Sequence, residues 1–395
     1  MLRPTPALST LWCLSLASIS GTSLAATDSD QCAHPGQWWQ DGQPLAASTL
    51  FEQAAEHDVV LLGEYHDRMS HHRWQLHTLA GLAAYRDNMA IGLEMLPREA
   101  QPALDAWVAG ELSETQFLQQ SQWHEAWGFD PELYLPILHF ARMQQIPLLA
   151  INIKPELRRQ LATEGFDAVS AEQRFNINEP APASDAYRQR LEQSFQMHPT
   201  SMGAEGHGNE DQEGDNAFET FLNAQLTWDA AMADGLASAV DDDTLVVGLM
   251  GVGHLAFGDG VPYQLEAMDI TDTLSLMPTP LEACEPPDSQ LADVLYLLGD
   301  EQAAETPPPR LGVQIAPGED GVSIVAIRED SLAHDAGLQP DDTVTQAAGQ
   351  KVRAPGELIA IVQRQAPGTL LPLEVLRDGN AQEILVRFPP AEPLR

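Results

Sequence analysis

The residues best suited to chemistry fall in short stretches far apart in the chain. Glu64, Tyr65, His66 and Asp67 follow the apolar run Val59–Gly63, and Gly251-Val252-Gly253-His254 follows the run Leu245–Met250. Glu94 lies near the end of a third run, Met89–Met95, and Asn152 near the end of a fourth, Pro147–Ile153. Imidazole nitrogen and carboxylate oxygen ligate zinc and other divalent metals. The same groups serve as acid and base. Glu64, His66 and His254 are therefore a candidate metal set, with Glu94 as a candidate base toward a metal-bound water in a hydrolase. Gly63, Gly251 and Gly253 allow backbone to approach a bound group closely. A buried network of hydrogen bonds that caps strands and helices would use the same residue types.

The elements that must position these groups alternate. Short continuous apolar runs read as buried parallel strands. Between them lie segments with helical spacing: Leu76, Leu79, Ala80 and Ala83; Ala100 to Val108; Pro131 to Gln145; and Phe218 to Ala239. This predicts an α/β fold, a mostly parallel sheet flanked by helices, with Thr273–Met277 adding a strand at the edge. Ligands of such sheets bind beyond the carboxyl ends of the strands, where Glu64, His66, Glu94, Asn152 and His254 would converge. Asp185 to His198 reads as a helix in an insertion. The Gly- and acid-rich stretch from Gly203 to Asn216 reads as a lid or a surface loop. His71, His72 and His77 share the first helix, with His72 the one expected to face the crevice. Trp123, Trp127, Phe129 and Tyr134 form an aromatic block that suits either a wall for a flat apolar ligand or ordinary core. Tyr65 and Tyr134 are the phenols nearest these features, and a tyrosinate can ligate haem iron.

Composition narrows the setting. Twenty Lys and Arg stand against 58 Asp and Glu, a net charge of −38, which repels nucleic acid and anionic membrane surfaces. Arg3, the apolar stretch Leu8–Ile19 and the small residues Ser23–Ala26 read as a signal peptide over residues 1–26. The mature protein is then expected to be periplasmic or secreted and soluble. Cys13 leaves with that segment. Cys32 and Cys284 remain, as a disulfide of an exported protein or as two separate thiols. The α/β domain spans 27–298. A stiff linker at 299–310 contains Pro307-Pro308-Pro309, and a small β-rich domain follows over 311–390.

At this point two resemblances enter. Residues 59–67 with His71-His72, then Ile91–Met95, Trp123 through Tyr134, Asn152, Gln225–Asp229 with Met232-Ala233, and Gly251–His254 with Gly258, Gly260–Pro262 and Leu265 resemble the ChaN-like haem-binding proteins in order. The match spans roughly residues 45 to 280. It implies iron-porphyrin binding as part of haem or iron uptake, at a homodimer face, with an exposed phenol as axial ligand. Tyr134 is the first choice for that phenol. His66, His254, Tyr65, His72 and Trp123 complete the cofactor-binding set. The wider group includes metal-dependent peptidases and erythromycin-esterase-like hydrolases, so the metal-dependent hydrolase stays open as the alternative. Lipid-anchored members are common in the family, and this chain shows no obvious lipidation cysteine.

The second resemblance is to bacterial PDZ domains. Leu311-Gly312-Val313 looks like their carboxylate-binding loop. Ser331-Leu332-Ala333, Ala336-Gly337-Leu338, Asp342 and Gly349 follow their pattern, with Leu332, Asp341 and Ala348 departing from it. Pro355 to Gln365 is expected to form the groove helix. The resemblance implies capture of a peptide C-terminus, or of a membrane protein's tail, as an added strand. A packing module with a degenerate groove would share the pattern.

Overall fold

In the computed structural model, residues 32–197, 214–281, 290–299 and 309–390 are described. The expected signal peptide, the 203–213 part of the expected lid, most of the expected linker and Cys284 lie outside these residues. The expected pairing of Cys32 with Cys284 is therefore not described.

The first sheet has eight strands: β1 (Trp38–Gln40), β2 (Gln43–Leu45), β3 (Val59–Glu64), β4 (Met89–Pro97), β5 (Leu148–Asn152), β6 (Leu245–Gly251), β7 (Thr273–Pro280) and β8 (Val294–Leu298). Their order is β2-β1-β8-β7-β3-β6-β4-β5. The six strands from β8 to β5 run parallel, and the β1–β2 hairpin adds antiparallel to β8. The α/β expectation holds, with one correction. β7 was expected at the edge and lies inside, because β8 and the hairpin extend the sheet beyond it. The apolar run Val294–Leu298 carries that signal and was not read as a strand.

Helices cover both faces. On one side lie α1 (Ala47–Ala54), α2 (Met69–Leu82), α3 (Gln101–Val108), α4 (Glu114–Gln120), α5 (Trp123–Ala126) and α6 (Leu135–Gln144). After α7 (Pro155–Glu164) and α8 (Asp185–Met197) come α9 (Gly214–Ala237) and α10 (Val261–Glu266), which cover the opposite face. Period-two alternation sorts the strands between the layers. Val60, Leu62, Ile91 and Leu93 join the core under α2, α3 and α6. Val59, Leu61, Val246 and Met250 join the core under α9 and α10. The same alternation turns Glu64, in phase with Val60 and Leu62, toward α2 and α6. Glu94, out of phase with Ile91 and Leu93, turns toward α9.

The C-terminal domain is an antiparallel sheet of β9 (Val313–Pro317), β10 (Val322–Ile327), β11 (Thr343–Ala347), β12 (Gln350–Lys351), β13 (Leu370–Arg377) and β14 (Asn380–Arg387). Its main order is β14-β13-β11-β10-β9, with β12 pairing β11. α11 (Leu332–Ala336) and α12 (Pro355–Gln363) complete it around a core of its own. α12 docks on the first domain. Gly356 lies against His124, and the Arg364 guanidinium reaches Asp130 at 2.7 Å and Glu132 at 3.3 Å. Among the described residues no helix is long and apolar enough to cross a membrane.

Close packing of α9 on β5 depends on Gly235. A Cβ there would stand 2.8 Å from the Ile151 Cβ and 3.0 Å from its Cα. Because backbone cannot yield as a side-chain tip can, Gly235→Val is expected to cost about 1–3 kcal/mol by overpacking. Gly253, with nothing within 4 Å of its would-be Cβ, is the control, and Gly253→Ala should be nearly neutral. Denaturant unfolding compares them, and equal midpoints for the two variants would refute the packing argument.

Candidate functional site

The carboxyl ends of β3, β6 and β4 lie side by side, and each delivers one element of the site. β3 ends in Glu64, which is 1% exposed. The Tyr134 hydroxyl donates to Glu64 Oε1 at 2.6 Å, and His66 Nδ1 bonds the same oxygen at 2.9 Å. His72 Nδ1 stands 3.4 Å from Oε2, while its Nε2 bonds the His66 carbonyl at 3.0 Å. Burial pushes the Glu64 carboxyl up, but the bonds and charges of His66 and His72 outweigh it and lower the pKa to about 2. Burial and the Glu64 charge together raise the Tyr134 phenol well above its ordinary value.

β4 delivers Glu94, fully buried, to the other layer. Its Oε2 accepts the Gly251 N–H at 2.6 Å, and its Oε1 faces His254 Nε2 at 3.4 Å. His254 Nδ1 bonds Asp229 Oδ1 at 2.6 Å, and Asp229 Oδ2 accepts the Tyr187 hydroxyl at 2.7 Å. Burial pushes His254 down, yet the Glu94 charge and the Asp229 bond outweigh it and raise the pKa to about 10. Burial pushes Asp229 up against the pull of His254. His254 therefore holds its proton tightly between the two carboxylates.

His66 sits between the two arms. A Cβ on Gly251 would lie 2.8 Å from His66 Cε1 and 3.6 Å from Glu94 Oε2, so only glycine leaves room for the imidazole above β6. Trp127 stands edge-on to the His66 ring at 4.6 Å and Phe129 tilts against it at 5.2 Å. The His66 side chain keeps 28% exposure.

The structure brings the expected strand ends together and gives the candidate residues different surroundings. Tyr134, chosen as the exposed phenol, is 2% exposed and committed to Glu64. Tyr65 is the accessible one at 52%, with His71 against its ring at 5.3 Å and accepting its backbone N–H at 3.2 Å. Trp123 is fully buried and donates to the Phe129 carbonyl at 3.0 Å, so it is core. His72 faces the crevice from beneath, buried on Glu64. Asn152 is consumed structurally, donating to the Glu94 carbonyl at 2.6 Å and accepting from Trp228 at 2.8 Å. The expected metal set is not assembled. Glu64 and His66 join on one layer and His254 meets Glu94 on the other, while Glu64 Oε2 and Glu94 Oε1 are buried without a hydrogen bond. Among the described residues no group of three or more His, Cys, Asp or Glu side chains is arranged to hold a metal ion. Asp229 and Tyr187 were missed as members of the network. Gln225 and Asp229, one helical turn apart on the buried side of α9 with the Gln225 amide 3.3 Å from Asp229 Oδ1, were the available signal.

The sign of the His254 shift sets a pH dependence. A folded-state pKa of about 10 against an ordinary 6.5 means that the stability contributed by protonation is complete below the unfolded value and is lost as pH rises through the folded one. The melting temperature should therefore fall between pH 6.5 and 10. In His254→Gln it should start lower and fall less over that window. Parallel profiles for the two proteins would contradict the assignment of the proton to His254.

Comparison with known proteins agrees with this arrangement of strands and motifs. Residues 50–265 match the model of the family described as haem-binding uptake, Tiki superfamily, ChaN, and residues 309–387 match the PDZ domain. No curated protein matches. Among solved structures, ChaN of Campylobacter jejuni, described as showing cofacial heme binding, is 16% identical with a TM-score of 0.49, covering 66% of this chain and 95% of that one. The HtrA-type protease AlgW with a decapeptide is 20% identical, covering 22% of this chain and 30% of that one, TM-score 0.20. A serine endoprotease from Yersinia pestis is 19% identical over 22% and 30%, TM-score 0.19. With more than half of its length matched by the family model, the chain belongs to the ChaN haem-binding uptake family of the Tiki superfamily and carries a PDZ domain at its C-terminal side.

Proposed function

We propose that this is an exported haem-binding protein of haem or iron uptake, with Tyr65 as the axial phenol and the PDZ groove as the seat of a partner's C-terminal peptide. The observation that carries the haem reading is the contrast between the two phenols. Iron in a porphyrin needs a donor it can approach, and a phenolate is an established one. Tyr134 is closed off and its proton is held by Glu64. Tyr65 stands half exposed at the end of β3, immediately beside the buried network.

The residues present fit such a group. Tyr65 supplies the oxygen. His71, whose imidazole burial and the His72 charge push down to about 4, stays neutral beside it, able to orient the phenol without competing for its proton. The half-exposed His66, backed by Trp127 and Phe129, offers a flat apolar-edged surface next to it. When bound, the porphyrin supplies iron for transport or redox chemistry; the protein supplies the donor, its orientation and the rigid floor. A second copy of the chain meeting this accessible face is the form that the expected homodimer would take. Export rests on the reading of residues 1–26 as a signal peptide. The hydrolase alternative draws no support from the geometry, since its metal set is divided between the two layers of the sheet.

For the PDZ half, β9 is an edge strand and a groove of about 670 Å³ runs between it and α12. Leu311, Gly312 and Val313 line one end, and Leu358, Ile359 and Val362 line the wall. An extended peptide adds to such an edge by main-chain hydrogen bonds.

Haemin titration tests the first half. The wild-type protein should show a shifted Soret band saturating at a defined ratio. Tyr65→Phe should weaken binding at least about tenfold, a loss of roughly 1.4 kcal/mol. Tyr134→Phe should leave the spectrum intact and lower thermal stability, because it strips a donor from a buried carboxylate. Absence of any shift in the wild type refutes the haem reading. A lost shift in Tyr134→Phe with an intact one in Tyr65→Phe refutes the choice of ligand.

A further inference from the structure

We infer that the C-terminal groove selects peptides with an acidic residue next to an apolar C-terminal residue, through Arg310 and Arg328. The inference rests on the peptide-binding reading of the groove and adds its sequence preference.

Apart from these two arginines, the groove is lined by neutral residues, apolar ones such as Leu311, Val313, Ile315, Ile327, Leu358 and Val362 among them. That surface takes an apolar terminal side chain. Arg310 and Arg328 stand exposed at the end formed by the Leu311–Val313 loop. In a chain with 58 acidic residues against 20 basic ones, several described arginines are held by acidic neighbours: Arg98 by Asp234, Arg188 by Glu219, Arg190 by Asp259, Arg364 by Asp130 and Arg377 by Asp342. Arg310 and Arg328 have no such ion pair among the described residues. Two cations without an ion pair, and no acidic residue, line the mouth of this apolar groove, so its lining is positive on a protein of strongly negative charge although Glu329 and Asp330 follow Arg328 in the chain.

Their position explains what they would read. The Arg328 N–H donates to the Gly312 carbonyl at 2.9 Å, which places Arg328 directly across from Gly312 as β10 runs beside the start of β9. A peptide added to the free edge of β9 lies two strand spacings from β10, about 10 Å. That gap is within the joint reach of an arginine and a carboxylate side chain. No side chain at Gly312 stands between them. With φ of +80° and a would-be Cβ 2.4 Å from the Ser331 Cβ, Gly312 cannot readily be anything else. Alternation along the added strand sends the last and third-from-last side chains toward α12 and the penultimate one the opposite way. The penultimate residue is therefore the one that meets the arginines. The peptide's terminal carboxylate gains from the same field, so the groove favours an acidic residue flanking an apolar terminus.

The test uses the full chain and fluorescein-labelled octapeptides that end in Val and differ only at the penultimate position: Asp, Asn or Lys, with an amidated version of the Asp peptide. The Asp peptide should bind about tenfold more tightly than the Lys peptide at low salt, since it gains two exposed ion pairs where the Lys peptide meets two like charges. The preference should shrink as salt rises. R310E/R328E, both at exposed positions, should reverse it in favour of Lys. Equal binding of the three free-acid peptides, or an unchanged preference in R310E/R328E, overturns the arginine clamp while leaving the groove as a peptide site. Failure of every peptide, or binding of the amidated form as tight as the free acid, overturns the carboxylate-binding reading on which the clamp rests.

Discussion

Two carboxylates without solvent govern the architecture of the first domain. An ionised group removed from water is tolerated only where partners replace its hydration. Glu64 ends β3 and Glu94 lies within β4, the strands on either side of β6, and each recruits a different layer of the protein to meet that demand. Glu64 draws in α2 through His72, the start of α6 through Tyr134, and the loop after β3 through His66. Glu94 takes the Gly251 backbone and, through His254 and Asp229, binds α9 and then Tyr187 of α8. The segments that follow the strands are thus tied to the sheet by charge as well as by packing. Gly251 is the hinge of this scheme, since its bare Cα is the floor on which His66 lies between the two arms.

That arrangement decides which side chains remain for a ligand. Groups that hold a buried charge are not free to leave it, because an orphaned carboxylate would cost several kcal/mol. His72, Tyr134 and His254 are committed in this sense. Tyr65 is not. Being the neighbour of Glu64 at the strand end, it points away from the network that its neighbour anchors. A rigid, charge-locked floor with one accessible phenol at its rim is a preorganised surface: binding there orders little that is not already ordered.

Much of this was legible in the chain itself, and the exceptions have physical causes. Continuous apolar runs with polar terminations located β3 to β6, and the crevice followed from the rule for parallel sheets. Alternation within Leu62-Gly63-Glu64-Tyr65 would also have separated Glu64 from Tyr65, while the exposure of Tyr65 follows from its place just past the end of β3. Tyr134 misled because its exposure is set by α2 and β3, elements far from it in sequence. Trp123 and its neighbours misled similarly, since aromatic density does not distinguish a ligand wall from a core. The candidate metal set of Glu64, His66 and His254 is parted for a reason of phase: Glu64 holds His66 on one layer, while His254 bonds Asp229 and faces Glu94, the candidate base, on the other. Glu64 at the end of β3 and Glu94 within β4 are each one side chain of a two-faced strand, and only the register of the sheet shows that they face different layers. Asp229 and Tyr187 escaped notice because a single buried acid on a long helix resembles a solvated one until its partner is known.

The C-terminal domain meets the first through the same helix that walls its groove. α12 turns Leu358, Ile359 and Val362 toward the peptide site and sets Gly356 against His124. The ion pairs of Arg364 with Asp130 and Glu132 are partly exposed and contribute at most about 1 kcal/mol each. The close approach at Gly356 is therefore the more specific element of the contact: any side chain there would meet the His124 Cβ at 3.0 Å and its carbonyl oxygen at 3.1 Å. His124 opens the short helix whose continuation carries Trp127 and Phe129 to His66. One covalent segment, residues 123 to 134, thus supports the groove helix on one side and the floor of the crevice on the other. The orientation of the peptide groove relative to the exposed Tyr65 is consequently set by packed elements and not by the intervening chain alone.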